Sequence, residues 1–174
     1  MESLVNKLSS YNILNNLIPG AIFVFFGKLL NIMPLPIDGV VECVFVYYFF
    51  GMVISRVGSL VVESLFKRFK WITYASKAEY VSATKKDEKI ETLLETSNMY
   101  RTCSGLFLSL GVVKAYTLIS NILAISKQTT VWVVILSLLL IFSVAYIKQT
   151  KHILSRINAA NQVLDGDVGE GPHI

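Results

Sequence analysis

Four ionisable side chains interrupt the long apolar segments of this sequence: Lys28, Glu42, Arg56 and Lys114. Charge at membrane depth is costly, so such residues face protein or water rather than lipid and often mark functional positions. A helix rises about 1.5 Å per residue, which puts Lys28 and Glu42 near the outer face of a bilayer and Lys114 near its midplane. The sequence predicts an outer cluster of these three, with Glu42 as its only anion. The alternative is that Lys28 and Glu42 simply extend to the interface.

Arg56 and Lys114 have different expected surroundings. Arg56 follows Glu42 by about 21 Å of helix, so it lies outside the outer cluster and is expected to reach inward, to Glu63 or to phosphate groups. A central ammonium costs at least about 2.5 kcal/mol on membrane-insertion scales. Lys114 therefore needs Glu42, a carbonyl or a wet cavity beside it, which makes it the strongest candidate for a functional polar residue.

Small residues recur at helical spacing in the second and third apolar segments. Gly51, Ser55 and Ser59 are four residues apart, and Gly105 precedes Ser109 by the same interval. Small side chains at this spacing let helix backbones approach closely. The pattern predicts packing within one helical bundle, a contact between copies of the chain, or both.

Motifs of catalysis and metal binding are absent from the sequence. There is no Ser-His-Asp arrangement, HExxH, P-loop or dinucleotide pattern. Cys43 and Cys103 are predicted roughly a membrane thickness apart, too far to form a disulfide within one chain, and neither has a metal-ligand spacing. We therefore expect no enzymatic activity, no cofactor and no bound metal.

The elements that must position these residues are predicted to be membrane helices. The chain is 53% hydrophobic and 16% charged, whereas soluble domains are about 25% charged. About 20 apolar residues cross a bilayer core. We predict an all-α integral membrane four-helix bundle forming a single domain over 1–174, with spans at 13–33, 39–62, 102–125 and 131–147. A short interfacial helix before Pro19, a helical loop at 63–101 and a tail with a C-terminal helix at 148–174 complete it.

Lysine and arginine positions predict the orientation of the chain. The loop at 63–101 contains Lys67, Arg68, Lys70, Lys77, Lys85, Lys86, Lys89 and Arg101, and the tail begins with Lys148, Lys151 and Arg156. The turn at 34–38 has no basic residue, and the turn before the fourth span has only Lys127. Four crossings place both termini and the loop in the cytoplasm. The basic residues favour anionic lipid, whereas the acids among them make direct nucleic-acid binding unexpected.

Three stretches carry a resemblance to small bacterial membrane proteins encoded beside antiphage genes: 11–23 (YNILNNLIPGAIF), 51–59 (GMVISRVGS) and 98–102 (NMYRT). The whole layout resembles the membrane component of Kiwa systems, which works with a cytosolic nucleic-acid-binding partner. Membrane accessory proteins of type VI CRISPR loci are similar in layout. The resemblance implies an oligomeric platform in the bacterial inner membrane that senses envelope disturbance and controls a partner. No Arg precedes a His by five residues, which counts against the nuclease-like accessories.

Three classes of function remain open on the sequence. A scaffold or sensor would form a homo-oligomer and recruit a cytosolic protein through 63–101 and 148–174. A homo-oligomeric pore would be lined by Lys114 and Arg56. A small transporter is disfavoured, because the only intramembrane acid, Glu42, lies near a rim.

Overall fold

The computed structural model describes residues 2–32, 39–87 and 89–168, which contain no strand, and it is 88% helical. The prediction of an all-α chain is confirmed. The elements are α1 (Glu2–Leu29), α2 (Val40–Val57), α3 (Glu63–Arg68), α4 (Lys77–Lys86), α5 (Lys89–Ile122) and α6 (Lys127–Val168). A π-helical segment, Gly58–Val62, joins α2 to α3.

Three helical stretches are long and apolar enough to cross a membrane: Val40–Arg68, Lys89–Ile122 and Lys127–Ala159. The apolar part of α1, Ile13–Leu29, is shorter. Its 17 residues rise about 26 Å, slightly less than a bilayer core of about 30 Å. The predicted span at 13–33 ends on Met33, and this residue and the turn at 34–38 lie outside the described residues. The fourth crossing therefore stays a prediction.

The prediction of a separate interfacial helix before Pro19 is wrong. The chain from Glu2 to Leu29 is one helix, with Pro19 inside it. An internal proline removes a helical hydrogen bond and costs roughly 3 kcal/mol in an exposed helix. Here Pro19 and the following Gly20 are both buried. Close packing of this part of α1 keeps the helix continuous.

The core of the molecule lies where α1, α2 and α5 meet. Its buried side chains are Phe23, Ile54, Leu106 and Leu110. Phe26, Phe50 and Val113 pack around them, and the rings of Phe23 and Phe50 are 5.3 Å apart. Gly51 of α2 lies against the backbone of Asn16, and Gly20 of α1 against that of Tyr47. From one contact to the other, residue numbers rise along α1 (16 to 20) and fall along α2 (51 to 47), so the two helices are antiparallel.

Most of the apolar surface faces outward. In the most apolar 18-residue segment of α6 only 6% of the residues are buried, compared with 22% in the corresponding segment of α5. Soluble monomers rarely expose contiguous apolar patches of more than a few hundred Å². The fourth predicted span, 131–147, lies within α6 and is the least covered of the three long stretches.

The polar end of the molecule consists of α4, residues 89–101 of α5 and residues 148–168 of α6. Ser76 caps α4, accepting from the Glu79 backbone N–H at 3.2 Å while the Glu79 carboxylate accepts from the Ser76 N–H at 2.8 Å. α4 packs against both α5 and α6. At the opposite end of α5, the Tyr116 hydroxyl donates to Thr130 Oγ1 of α6 at 3.0 Å. α5 and α6 therefore each run without a break from the apolar region into the polar end.

Candidate functional site

The buried carboxylate of Glu63 forms ion pairs with three basic side chains. It accepts from Lys67 Nζ at 2.8 Å, from Arg101 Nη1 at 3.1 Å and from Lys148 Nζ at 3.2 Å. The Glu63 side chain is only 7% exposed. These four residues, here called the Glu63 cluster, come from α3, α5 and α6, so the cluster joins three helices where the apolar region meets the polar end.

The π-helical segment places the cluster. Inserting one residue per turn bends the regular helix, and such insertions occur often at functional sites. The Glu63 N–H donates to the Gly58 carbonyl across five residues. In the same segment, Ser59 accepts from Lys148 Nζ with its carbonyl at 2.6 Å and its Oγ at 3.0 Å. With Glu63 as its third acceptor, the Lys148 ammonium uses all three of its donors.

The Glu63 cluster contains more positive charge and more donors than its one acid can match. Three cations surround a single carboxylate, which leaves a net charge of about +2. The Nε of Arg101 is buried and has no hydrogen-bond partner among the described residues. A buried donor without an acceptor is costly, so an acceptor from outside the described chain would stabilise this region.

A small cleft adjoins the cluster between α2 and α6. Its lining consists of Arg56, Ser59, Leu60, Ala145, Lys148, Gln149 and His152, and we call it the basic cleft. Its free interior is about 20 Å³, enough for one water-sized group. The Arg56 guanidinium makes no hydrogen bond within the described structure. Lys77 Nζ of α4 lies 3.3 Å from His152 Nδ1 and so connects the polar end to the cleft.

Aromatic rings lie beside the basic residues just after α3. Trp71 packs on Phe66 and Phe69, with ring centroids 5.3 and 5.5 Å apart, and is largely exposed. Lys67 Nζ lies 4.4 Å from the centroid of the Tyr74 ring. Tryptophan and tyrosine beside cations are typical of a membrane–water interface. Through Lys67, the Glu63 cluster adjoins this group of aromatic and basic side chains.

The predicted outer residues are placed at the other end of the molecule. Lys114 is half-buried and donates to the Leu30 carbonyl, just after α1, at 3.2 Å. A carbonyl was one of the three partners expected for it. Lys28 and Glu42 are both exposed and form no ion pair with each other or with Lys114 in the described part of the chain. Arg56 lies apart from all three, in the basic cleft.

Three of the small residues, Gly51, Ser59 and Gly105, contact another helix of the same chain. Gly51 contacts α1, whereas Gly105 of α5 lies against Gly58 and Ile54. Ser59 binds Lys148 as described, and Ser109 donates to the Gly105 carbonyl of its own helix at 2.7 Å. Ser55 is half-buried on α2. These contacts are those of packing within one chain.

For several residues of this site, the sequence predicts only a cytoplasmic location. Arg101, Lys148 and Lys77 belong to the basic segments that predict the orientation, and the sequence predicts no role for His152. One local signal was available, because Glu63 and Lys67 have the i, i+4 spacing of a helical ion pair. The other two partners of Glu63 are 38 and 85 residues away, and no local pattern brings them together.

No protein-family model, no curated protein and no solved structure matches this chain.

Proposed function

We propose that this chain is an integral membrane protein of the bacterial inner membrane that works as an oligomeric scaffold or sensor in antiphage defence and controls a cytosolic partner. The defence role rests on the resemblance of the stretches at 11–23, 51–59 and 98–102 to antiphage membrane proteins. The membrane location is supported by three long apolar stretches whose side chains are mostly exposed. Lipid, or further copies of the chain, would cover that surface.

Four crossings fit the packing of α1. Its apolar part lies antiparallel to α2 and contributes Phe23 to the shared core, so both helices occupy the same depth. The positive-inside rule then places the polar end and both termini in the cytoplasm. Residues 63–101 and 148–174 form the proposed partner-binding region, of which 169–174 lie outside the described residues.

The observation that carries the scaffold role is the continuity of α5 and α6. With 34 and 42 residues, these helices rise about 51 and 63 Å, well beyond a core of about 30 Å. Glu63 joins them to α3 in the middle of their length. A shift of the apolar region would therefore move the polar end as well, which is the property that a sensor of envelope disturbance needs.

Purification from the native host tests this role. Tagged wild-type protein should retain one cytosolic protein at a fixed stoichiometry. Lys85 and Lys86 are exposed on α4, so Lys85→Glu/Lys86→Glu should release that protein without unfolding the chain. Lys127→Glu, an exposed charge reversal at the opposite end, should have no effect. Absence of any stoichiometric partner, or its equal retention by all variants, contradicts the proposal.

A pore is the second candidate function, and one observation favours it. The Arg56 guanidinium has no hydrogen bond within the described structure, as expected of a side chain facing water. In liposomes, a pore lined by Arg56 and Lys114 would conduct anions better than cations, and Lys114→Leu would reduce that conductance. A partnerless oligomer with this behaviour would replace the scaffold role.

A further inference from the structure

We propose that the basic cleft binds a phosphate group, with an anionic phospholipid as its main source and soluble phosphate as the other. The inference concerns the cleft alone and needs no protein partner. Three features of the cleft support the proposal: the hydrogen-bond donors that line it, the positive charge around it, and its shape.

The side chains that line the cleft offer donors and few acceptors. The side chains of Arg56 and Gln149 make no hydrogen bond within the described structure, so the guanidinium and the amide are both available. A lysine ammonium can only donate, so Lys77 donates to Nδ1 of His152. This assigns the ring proton of a neutral His152 to Nε2, which becomes a third donor. A ligand for these groups must be rich in acceptors.

The charge of the surroundings favours an anion. Among the described residues, no acid lines the cleft. The Glu63 carboxylate, which binds the cleft residue Lys148, already faces three cations and is almost completely buried. Lys148 lines the cleft, but its three donors are already used by Ser59 and Glu63. It therefore contributes charge, while Arg56 supplies the fork of N–H groups that pairs with phosphate oxygens.

The shape of the cleft favours the phosphate of a lipid. An interior of about 20 Å³ admits roughly one oxygen-sized group, so most of the phosphate and its ester substituents must stay at the mouth. Leu60 and Ala145 form an apolar margin, and Val61 and Val144, each next to one of them in the chain, are exposed. Acyl chains attached to the phosphate can lie along this apolar surface. Basic pockets between membrane helices commonly bind lipid headgroups in this way.

Native mass spectrometry of the delipidated full chain in detergent tests the proposal. The probes are phosphatidylglycerol, a diacylglycerol with the same acyl chains but no phosphate, and inorganic phosphate. Phosphatidylglycerol should bind and diacylglycerol should not. Arg56→Gln should weaken binding about tenfold, because it removes a charge-assisted hydrogen bond to phosphate. Arg68→Gln removes an exposed arginine from the same helical stretch and should bind as the wild type does.

Each outcome decides the proposal. If inorganic phosphate binds with the same dependence on Arg56 and phosphatidylglycerol binds no better, the phosphate site stands and its source is soluble. Equal binding of phosphatidylglycerol by wild type and Arg56→Gln, or equal binding of diacylglycerol, overturns the site. If Arg56→Gln fails to fold, the affinity of Gln149→Leu for phosphatidylglycerol provides an independent test. A weakened affinity for phosphatidylglycerol supports the cleft, and an unchanged affinity overturns it.

Discussion

At the scale of single residues, the Glu63 carboxylate joins three helices, and its loss should destabilise the fold. Glu63→Gln leaves Lys67, Arg101 and Lys148 close together without their shared anion. Breaking a buried ion pair costs about 3–5 kcal/mol, and partly exposed partners reduce the cost, so we expect a loss of roughly 2–3 kcal/mol. Thermal unfolding in detergent measures it. Glu91→Gln, at an exposed acid of α5, should melt as the wild type does, and equal melting of Glu63→Gln would refute the role of the cluster.

Lys114 should tie α5 to the end of α1. Its ammonium donates to the Leu30 carbonyl, where a cation also interacts favourably with the helix dipole. Lys114→Leu should therefore lower the stability of the folded chain in detergent by about 1–2 kcal/mol. Lys28→Leu is the matched control, because Lys28 lies in the last turn of α1 and shares the dipole interaction but not the hydrogen bond. A larger loss for Lys28→Leu than for Lys114→Leu would contradict this assignment.

The sequence could narrow the partners of Lys114 to three kinds of group, but it could not identify the two distant partners of Glu63, Arg101 and Lys148. The energetic cost of a lysine deep in an apolar segment required a compensating group, and a carbonyl was among the three expected. Glu63 is different because its position after an apolar run is compatible with plain exposure to water. Its burial follows from the crossing of α5 and α6 beside the π-helical segment, which depends on packing between segments far apart in the chain.

At the scale of elements, the crossing of α1 and α2 depends on Gly51. A methyl group at this position would overlap the Asn16 backbone, so Gly51→Ala must push the two helices apart. Overpacking of this kind typically costs about 1–3 kcal/mol. Gly111→Ala is the matched control, because no atom lies within 4 Å of the added methyl group. Thermal unfolding should show a loss for Gly51→Ala only, and an equal effect of both substitutions would contradict the packing.

The stability of the first turn of α4 should depend on pH. The hydrogen bonds with the backbone and side chain of Ser76 hold the pKa of Glu79 below its ordinary value of 4.5. A carboxylate with a lowered pKa in the folded state stabilises the helix above its ordinary pKa, and the effect is lost as pH falls through the lowered value. Hydrogen exchange of the first α4 amides should be faster in Glu79→Gln than in wild type at neutral pH. The two should converge well below pH 4.5, and equal exchange at neutral pH would exclude the cap.

Apolar runs made several elements predictable. The charge-free run at 131–147 indicated α6. Two features of these elements were not predicted from the sequence and became visible only in the structure. Residues 89–101 continue α5 because no proline or glycine separates them from the apolar part. The π-helical segment Gly58–Val62 arises where Gly58 and Gly105 pack closely, and small residues alone do not specify an inserted residue.

At the scale of the whole molecule, two ends of different chemistry are joined by uninterrupted helices. The described core is small and most large apolar side chains are exposed, so the fold needs an apolar environment around it. Most of the basic residues, the buried carboxylate and the aromatic side chains after α3 lie at one end. The account of a membrane scaffold with a cytoplasmic polar end depends on the two ends lying on opposite sides of the bilayer.

Cysteine labelling from each side of the bacterial inner membrane tests this claim most directly. In a background of Cys43→Ala and Cys103→Ala, Lys85→Cys places a thiol at the exposed end of α4, and Gln128→Cys places one at the start of α6. An impermeant maleimide applied to intact spheroplasts should label Gln128→Cys alone, and Lys85→Cys should react only after permeabilisation. A tag at the N-terminus should be protected together with Lys85→Cys if α1 also crosses. Labelling of both thiols from the same side would contradict the account.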